Sequence, residues 1–135
     1  MFIRVHKINY YDIITTTRGL LWKKIVNIDL YKKKRLEKRY EKVVAIINED
    51  SYKFIIEDIT TVINNRYFTR ENKEYKFRID FINKESSLYL KENNQLFDIE
   101  LENYKYERKG NILELEYKIS SDEDPFRIII TEKED

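Results

Sequence analysis

A chain of 135 residues has the size of one ordinary domain and can bury roughly two thirds of the surface that its unfolded form exposes. It holds no cysteine and a single histidine, His6, which excludes disulfides, thiol catalysis, iron–sulfur clusters, cysteine-containing zinc sites and three-histidine metal centres. Its 26 Lys+Arg nearly cancel 25 Asp+Glu, with 38% of residues charged and 14% aromatic, and no apolar run approaches the roughly 20 residues that cross a bilayer; a soluble, single-domain protein spanning 1–135 is expected.

The first ten residues carry Arg4, His6 and Lys7 within an apolar pattern and no small-residue cleavage site, so they do not read as a secretory signal and the expected location is the cytoplasm. Ile3 and Val5 suggest a strand, with His6 on the exposed side. Leu21 to Leu30 alternates imperfectly through Trp22, Ile25, Val26 and Ile28. From Leu36 to Ile47 the apolar positions are Leu36, Tyr40, Val43, Val44 and Ile47, a spacing that fits one helical face. The β-branched run at 43–47 favours a strand over 42–47, and 31–41 stays open as strand or short helix.

Only Gly19, Gly110 and Pro125 offer the usual punctuation, so turns are sought at Asn, Asp and charge clusters, because Asn and Asp tolerate the left-handed conformation. Breaks are expected at 48–50, 64–65, 71–73, 83–85, 92–94, 109–111 and 120–125. Between them apolar and polar residues alternate, which places one set of side chains on one face of a strand. Tyr52, Phe54 and Ile56 form such a set, then Tyr75, Phe77, Ile79 and Phe81, then Phe97, Ile99 and Leu101. Leu113, Leu115, Tyr117 and Ile119 follow, and Phe126, Ile128 and Ile130 close the series. Gly110-Asn111 can supply positive φ at the tip of a hairpin before Leu113. Short strands with short turns predict an all-β fold, a single antiparallel barrel.

The run VVAIINEDSYKFIIED, then TTVINNRYFTRENKEYKFRIDF, LFDIELENYKYE, ILELEYKI and FRIIITE resembles the YwiB-like bacterial proteins of calycin-type (lipocalin-like) β-barrel fold, over roughly residues 43–132. The chain departs from that family at Arg70-Glu71-Asn72, where an Arg-Lys-Gly step is usual, and at Asn93-Asn94-Gln95, near a Tyr-Gly turn. The resemblance implies a closed or nearly closed antiparallel barrel; it brings no established activity and no catalytic residues.

Three chemistries are weighed. A barrel interior lined by Phe54, Phe77, Phe81, Phe97 and Tyr117 could hold a small apolar or amphipathic ligand or be filled by its own side chains. The segment 31–42 concentrates Lys32, Lys33, Lys34, Arg35, Lys38, Arg39 and Lys42 beside Tyr31 and Tyr40, which could track a phosphate backbone or an acidic partner. Residues 1–47 hold 12 Lys+Arg and 4 Asp+Glu, and residues 48–135 hold 14 and 21; the excesses, +8 and −7, can neutralise within one molecule or between two copies. Glu100 with Glu102, and Glu114 with Glu116, lie two apart and share a strand face, the one arrangement open to acid–base or Mg²⁺ chemistry; their Leu and Ile neighbours assign them to the water-facing side. The expectation is a non-enzymatic ligand binder or interaction module without cofactor or metal. Nucleic acid is the alternative partner, and a homodimer would follow from an unpaired sheet edge.

Overall fold

The structure, a computed structural model, describes residues 13–16 and 19–133, with side chains from Trp22 to Lys133. The suggested strand at Ile3–Val5 and the placing of His6 lie outside the described residues. Twelve strands form one antiparallel sheet: β1 (Ile13–Thr16), β2 (Gly19–Lys32), β3 (Arg35–Asn48), β4 (Ser51–Ile56), β5 (Ile59–Ile63), β6 (Tyr67–Glu71), β7 (Tyr75–Asp80), β8 (Glu85–Leu90), β9 (Gln95–Asp98), β10 (Leu101–Lys109), β11 (Ile112–Ile119) and β12 (Phe126–Glu132). Their order is β10-β11-β12-β2-β3-β4-β5-β6-β7-β8-β9, with β1 added to β2. The sheet curls so that Phe68 and Phe77 on β6 and β7 meet Tyr117 on β11, at ring-centroid distances of 5.7 Å each. It is barrel-like but not closed: β9 and β10 end the order and do not pair with each other.

Among the described residues there is no helix, and the open choice over 31–41 falls to strand. The helix-like spacing of Tyr40, Val43 and Ile47 has a local cause. The β2–β3 register slips between Val26↔Val43 and Ile28↔Tyr40, so two residues, Glu41 and Lys42, oppose Asn27 alone. Lys42 takes φ 57°, and its N–H donates to Asn27 Oδ1 at 3.2 Å. This bulge makes inward side chains three apart instead of two, which imitates helical periodicity.

The turns use two devices. At Lys33-Lys34, Glu57-Asp58 and Asn94 the chain adopts positive φ without glycine. At Asn64, Asn72 and Asp80 the side-chain oxygen accepts backbone N–H groups two and three residues on, at 2.8–3.0 Å, so the residue mimics a turn carbonyl. In the β10–β11 hairpin Gly110 alone carries positive φ, 59°; Asn111 instead donates through Nδ2 to the Glu132 carbonyl at 3.0 Å.

The core follows the alternation. Val26, Ile28, Ala45, Ile63, Phe68, Ile79 and Leu115 are wholly buried. Phe54, Phe77, Phe81 and Tyr117 are buried as expected, but Phe97 is 44% exposed. The alternating run at 97–101 is two strands rather than one. At Ile99-Glu100 the chain leaves β8 and joins β11: Ile99 N–H donates to the Ser86 carbonyl, and Ser120 N–H to the Glu100 carbonyl, both at 2.9 Å. Phe97 sits on the terminal four-residue strand, with no further strand to cover it.

Candidate ligand cleft

The two ends of the half-barrel are finished differently. At one end Tyr52, on β4, donates its hydroxyl to Glu132 on β12. Arg108 pairs with the same carboxylate at 3.1 Å and stacks over the Tyr52 ring at 5.2 Å, while Lys24 lies 3.6 Å from it. Burial, and then the bond to Glu132, push the Tyr52 hydroxyl well above its ordinary pKa. This end is tied shut by an ionic cluster in which the buried Tyr52 and the nearly buried Glu132 are satisfied by the more exposed Arg108 and Lys24.

The other end is open. β3 pairs with β4 only through Ile46, Ile47 and Asn48, so the β2–β3 and β4–β5 hairpins diverge beyond that point. A cleft of about 250 Å³ lies between them and continues inward to a void of about 40 Å³. Leu30, Tyr40, Glu57, Ile59, Arg70 and Phe126 line both spaces. One side of the mouth is tied by Glu57, which accepts from Tyr40 Oη at 2.8 Å and from Lys38 Nζ at 3.4 Å. The Tyr40 bond, with Lys38 beside it, holds the Glu57 carboxyl below its usual pKa.

Arg70 is the uncommon element. In β6 it shares the inward parity of the fully buried Phe68, opposite Thr61 on β5 and Phe77 on β7. Its guanidinium lies 5.8 Å from the Phe126 ring centroid, and its charge is felt by the buried Tyr117 hydroxyl, whose pKa burial raises against that influence. Among the described residues no carboxylate forms an ion pair with it. Arg39, Arg108 and Arg127, by contrast, pair with Asp29, Glu132 and Glu114 at 2.8, 3.1 and 2.6 Å.

The interior itself is filled. Phe54, Phe77, Phe81 and Tyr117 pack as core, and the 40 Å³ void is far below the roughly 300 Å³ that begins to hold a drug-sized ligand. Only Phe54 of the five interior candidates borders the void behind the cleft, and Phe97 lies outside the core altogether. Two larger depressions, of about 520 and 350 Å³, lie around the β9–β10 break and on the outward side of β4–β7. Both are lined chiefly by charged and hydroxyl side chains, including Asp80, Glu100, Lys76 and Arg78, and suit water better than an apolar ligand.

The basic segment does not form one face. Strand alternation sends Lys38 to the cleft side, opposite Leu30, and Arg39 to the outer side, opposite Asp29. Four of its seven cations are engaged within the molecule: Lys32 with Asp122 at 3.2 Å, Lys33 with Asp124 at 3.9 Å, Lys38 with Glu57 and Arg39 with Asp29. Together with Lys24–Glu132, three of these join the cationic first third to the acidic remainder, so the opposite charges meet within one chain. The acidic pairs also meet cations of the same chain. Glu102 accepts from Lys118 at 2.5 Å and Glu114 from Arg127 at 2.6 Å. Among the described residues no three His, Cys, Asp or Glu side chains gather as metal ligands would, and no helix is long and apolar enough to cross a membrane.

No known protein family, no curated protein and no solved structure matches the chain.

The sequence pattern missed Arg70 because a charged residue in an alternating strand is normally assigned to water. The signal was nonetheless present: in Tyr67-Phe68-Thr69-Arg70-Glu71 the arginine is in phase with Phe68, not with Thr69.

Proposed function

We propose that the protein is a non-enzymatic binder of a small amphipathic molecule, seated at the open end of the half-barrel between the β2–β3 and β4–β5 hairpins. The observation that carries this reading is the contrast between the two ends. The Tyr52–Glu132–Arg108 end is tied shut, whereas the other end leaves a cleft of about 250 Å³ whose lining is shared between Leu30, Ile59, Phe126 and two tyrosines and the charged Lys32, Glu37, Lys38, Glu57 and Arg70. Apolar walls with a few convergent polar groups are the usual make-up of a ligand site. The site is the mouth and not the aromatic interior, whose rings pack against one another. Kinship with the YwiB-like calycin proteins is part of the same proposal; the strand succession over 43–132 and the curled antiparallel sheet support it.

The test is a fluorescence titration with the small uncharged probe 1-naphthylamine. Saturable binding at one probe per chain, lost in Ile59→Arg while the far-ultraviolet circular dichroism is retained, is the expected result. Absence of saturable binding, or binding unchanged in Ile59→Arg, would remove the cleft from consideration. Salt-sensitive binding of an oligonucleotide, abolished by changing Lys34, Arg35 and Lys42 to Ser, would put the nucleic-acid reading in its place.

A further inference from the structure

We infer that the molecule taken by this cleft is an anion, a small alkyl or aryl carboxylate whose head group pairs with Arg70 and whose apolar body lies along Leu30, Ile59 and Phe126. This rests on the proposed function above and goes one step further, from the shape of the cleft to the charge of its occupant.

The argument begins with the cost of an inward-facing guanidinium. Arginine stays ionised, and a cation withdrawn from water is normally matched by a carboxylate. Arg39, Arg108 and Arg127 are matched even though 51%, 33% and 39% of their side chains remain in water. Arg70 is half-buried at the inner end of the cleft with an aromatic face as its partner, which leaves the edge donors of the fork for a ligand. The contact with the Phe126 ring at 5.8 Å uses none of the guanidinium N–H groups in an ion pair, so they stay open to an anion.

The nearby acids do not occupy it. Glu57 borders both the cleft and the void, but its carboxylate is engaged by Tyr40 and Lys38. Glu37 lines only the outer cleft. Lys38 is the other cation at the mouth, yet it is already paired with Glu57 and has 53% of its side chain in water, so it is the weaker attractor. The dimensions limit the ligand too. A liquid allots about 30 Å³ to each water-sized group, so the cleft of about 250 Å³ with the void of about 40 Å³ behind it takes roughly ten non-hydrogen atoms. Octanoate is of that size, and 1-octanol is its uncharged counterpart.

Isothermal titration calorimetry of the full chain with octanoate and with 1-octanol, at neutral pH, separates the claims. Octanoate is expected to bind about tenfold more tightly than 1-octanol, the discrimination of a charge-assisted contact discounted for partial exposure. Arg70→Gln should remove that preference, the two compounds then binding with similar affinity. Arg70→Lys should retain part of it, since the charge persists without the planar fork. Equal affinity of the two compounds would overturn the anion inference while the cleft reading stands. Loss of the preference in Lys38→Gln but not in Arg70→Gln would also overturn it, by assigning the head group to the rim. Failure of both compounds to bind would defeat the cleft reading and the inference with it.

Discussion

Phe77 and Phe97 occupy equivalent places in two alternating sequence patterns, and truncating each to alanine separates the pattern from the structure. Phe77 is 9% exposed and lies between Phe68, at 6.4 Å edge-on, and Tyr117, at 5.7 Å. Removing its ring forfeits nearly a whole buried side chain, leaves a cavity that strands β6 and β8 restrict from collapsing, and breaks two aromatic contacts; the expected cost is about 3–4 kcal/mol. Phe97 is 44% exposed on a terminal strand. Its truncation loses about half as much burial and opens a gap that water fills, so about 1 kcal/mol is expected. In equilibrium urea unfolding followed by circular dichroism, a slope of about 2 kcal/mol per molar turns these costs into midpoint shifts of about 1.5–2 M and about 0.5 M. Equal shifts, or a larger one for Phe97→Ala, would refute the break at Ile99-Glu100 and restore a continuous strand with Phe97 in the core.

Three further expectations follow from the polar contacts and turns. Tyr52→Phe removes one donor to Glu132 and leaves Arg108 and Lys24 in place; it should cost about 1–2 kcal/mol in urea unfolding, and a change below 0.3 kcal/mol would show that the hydroxyl is not needed to seal that end. Changing Lys33→Asn together with Lys34→Gly suits the two positive-φ tip positions, at 60° and 62°, and should stabilise the chain by about 1 kcal/mol, read as a rise of about 3 °C in Tm; a lower Tm would contradict that turn. The Glu57 carboxyl, held low chiefly by Tyr40 and then by Lys38, should titrate by carbon-13 NMR below the ordinary glutamate range, and Tyr40→Phe should move it upward. A depressed folded-state pKa means that the stabilisation is present above the unfolded value and is lost as pH falls through the folded one. The Tyr40–Glu57 tie therefore loosens as pH falls through the lowered Glu57 pKa, and an unchanged Glu57 titration in Tyr40→Phe would remove the tie from the structure.

Much of the architecture was readable because a half-buried antiparallel sheet writes its two faces alternately into the chain. Tyr52 and Phe54, Phe77 and Ile79, and Leu113, Leu115 and Tyr117 are inward in the sequence pattern and buried in the fold. What alternation does not encode is where a strand stops or slips. The bulge at Glu41-Lys42 gave strand β3 a helical rhythm, and the step at Ile99-Glu100 split an unbroken pattern without a glycine or proline to mark it. The turns at Lys33-Lys34 and Glu57-Asp58 were hidden for a related reason: charged residues adopt positive φ there at a small conformational cost, leaving no compositional trace. The strand Glu85–Leu90 was equally silent, its inward Ser86 being buried but polar.

The cleft was harder to read than the core because it arises from an absence of pairing. A sequence reports which residues can face inward; it does not report that β3 and β4 part after Ile46↔Lys53. That divergence turns Leu30, Ile59 and Phe126 from ordinary core positions into walls. It also changes the meaning of Arg70. In a closed barrel an inward arginine beside Phe77 would need an internal acid to offset its desolvation, and the sealed end supplies such an acid to Arg108 in Glu132. At the open end a ligand can reach the guanidinium while its apolar body displaces water from the hairpin walls, so the charge can remain without an internal partner. The same divergence makes the proposed binding surface the part of the sheet with the fewest ladder pairs, which is where local opening costs least. Ligand binding should therefore slow amide hydrogen exchange at Tyr40, Ile56 and Ile59 more than at Ile63 or Leu115, because it stabilises the hairpins where they separate; uniform slowing across the sheet would instead locate the ligand away from the mouth.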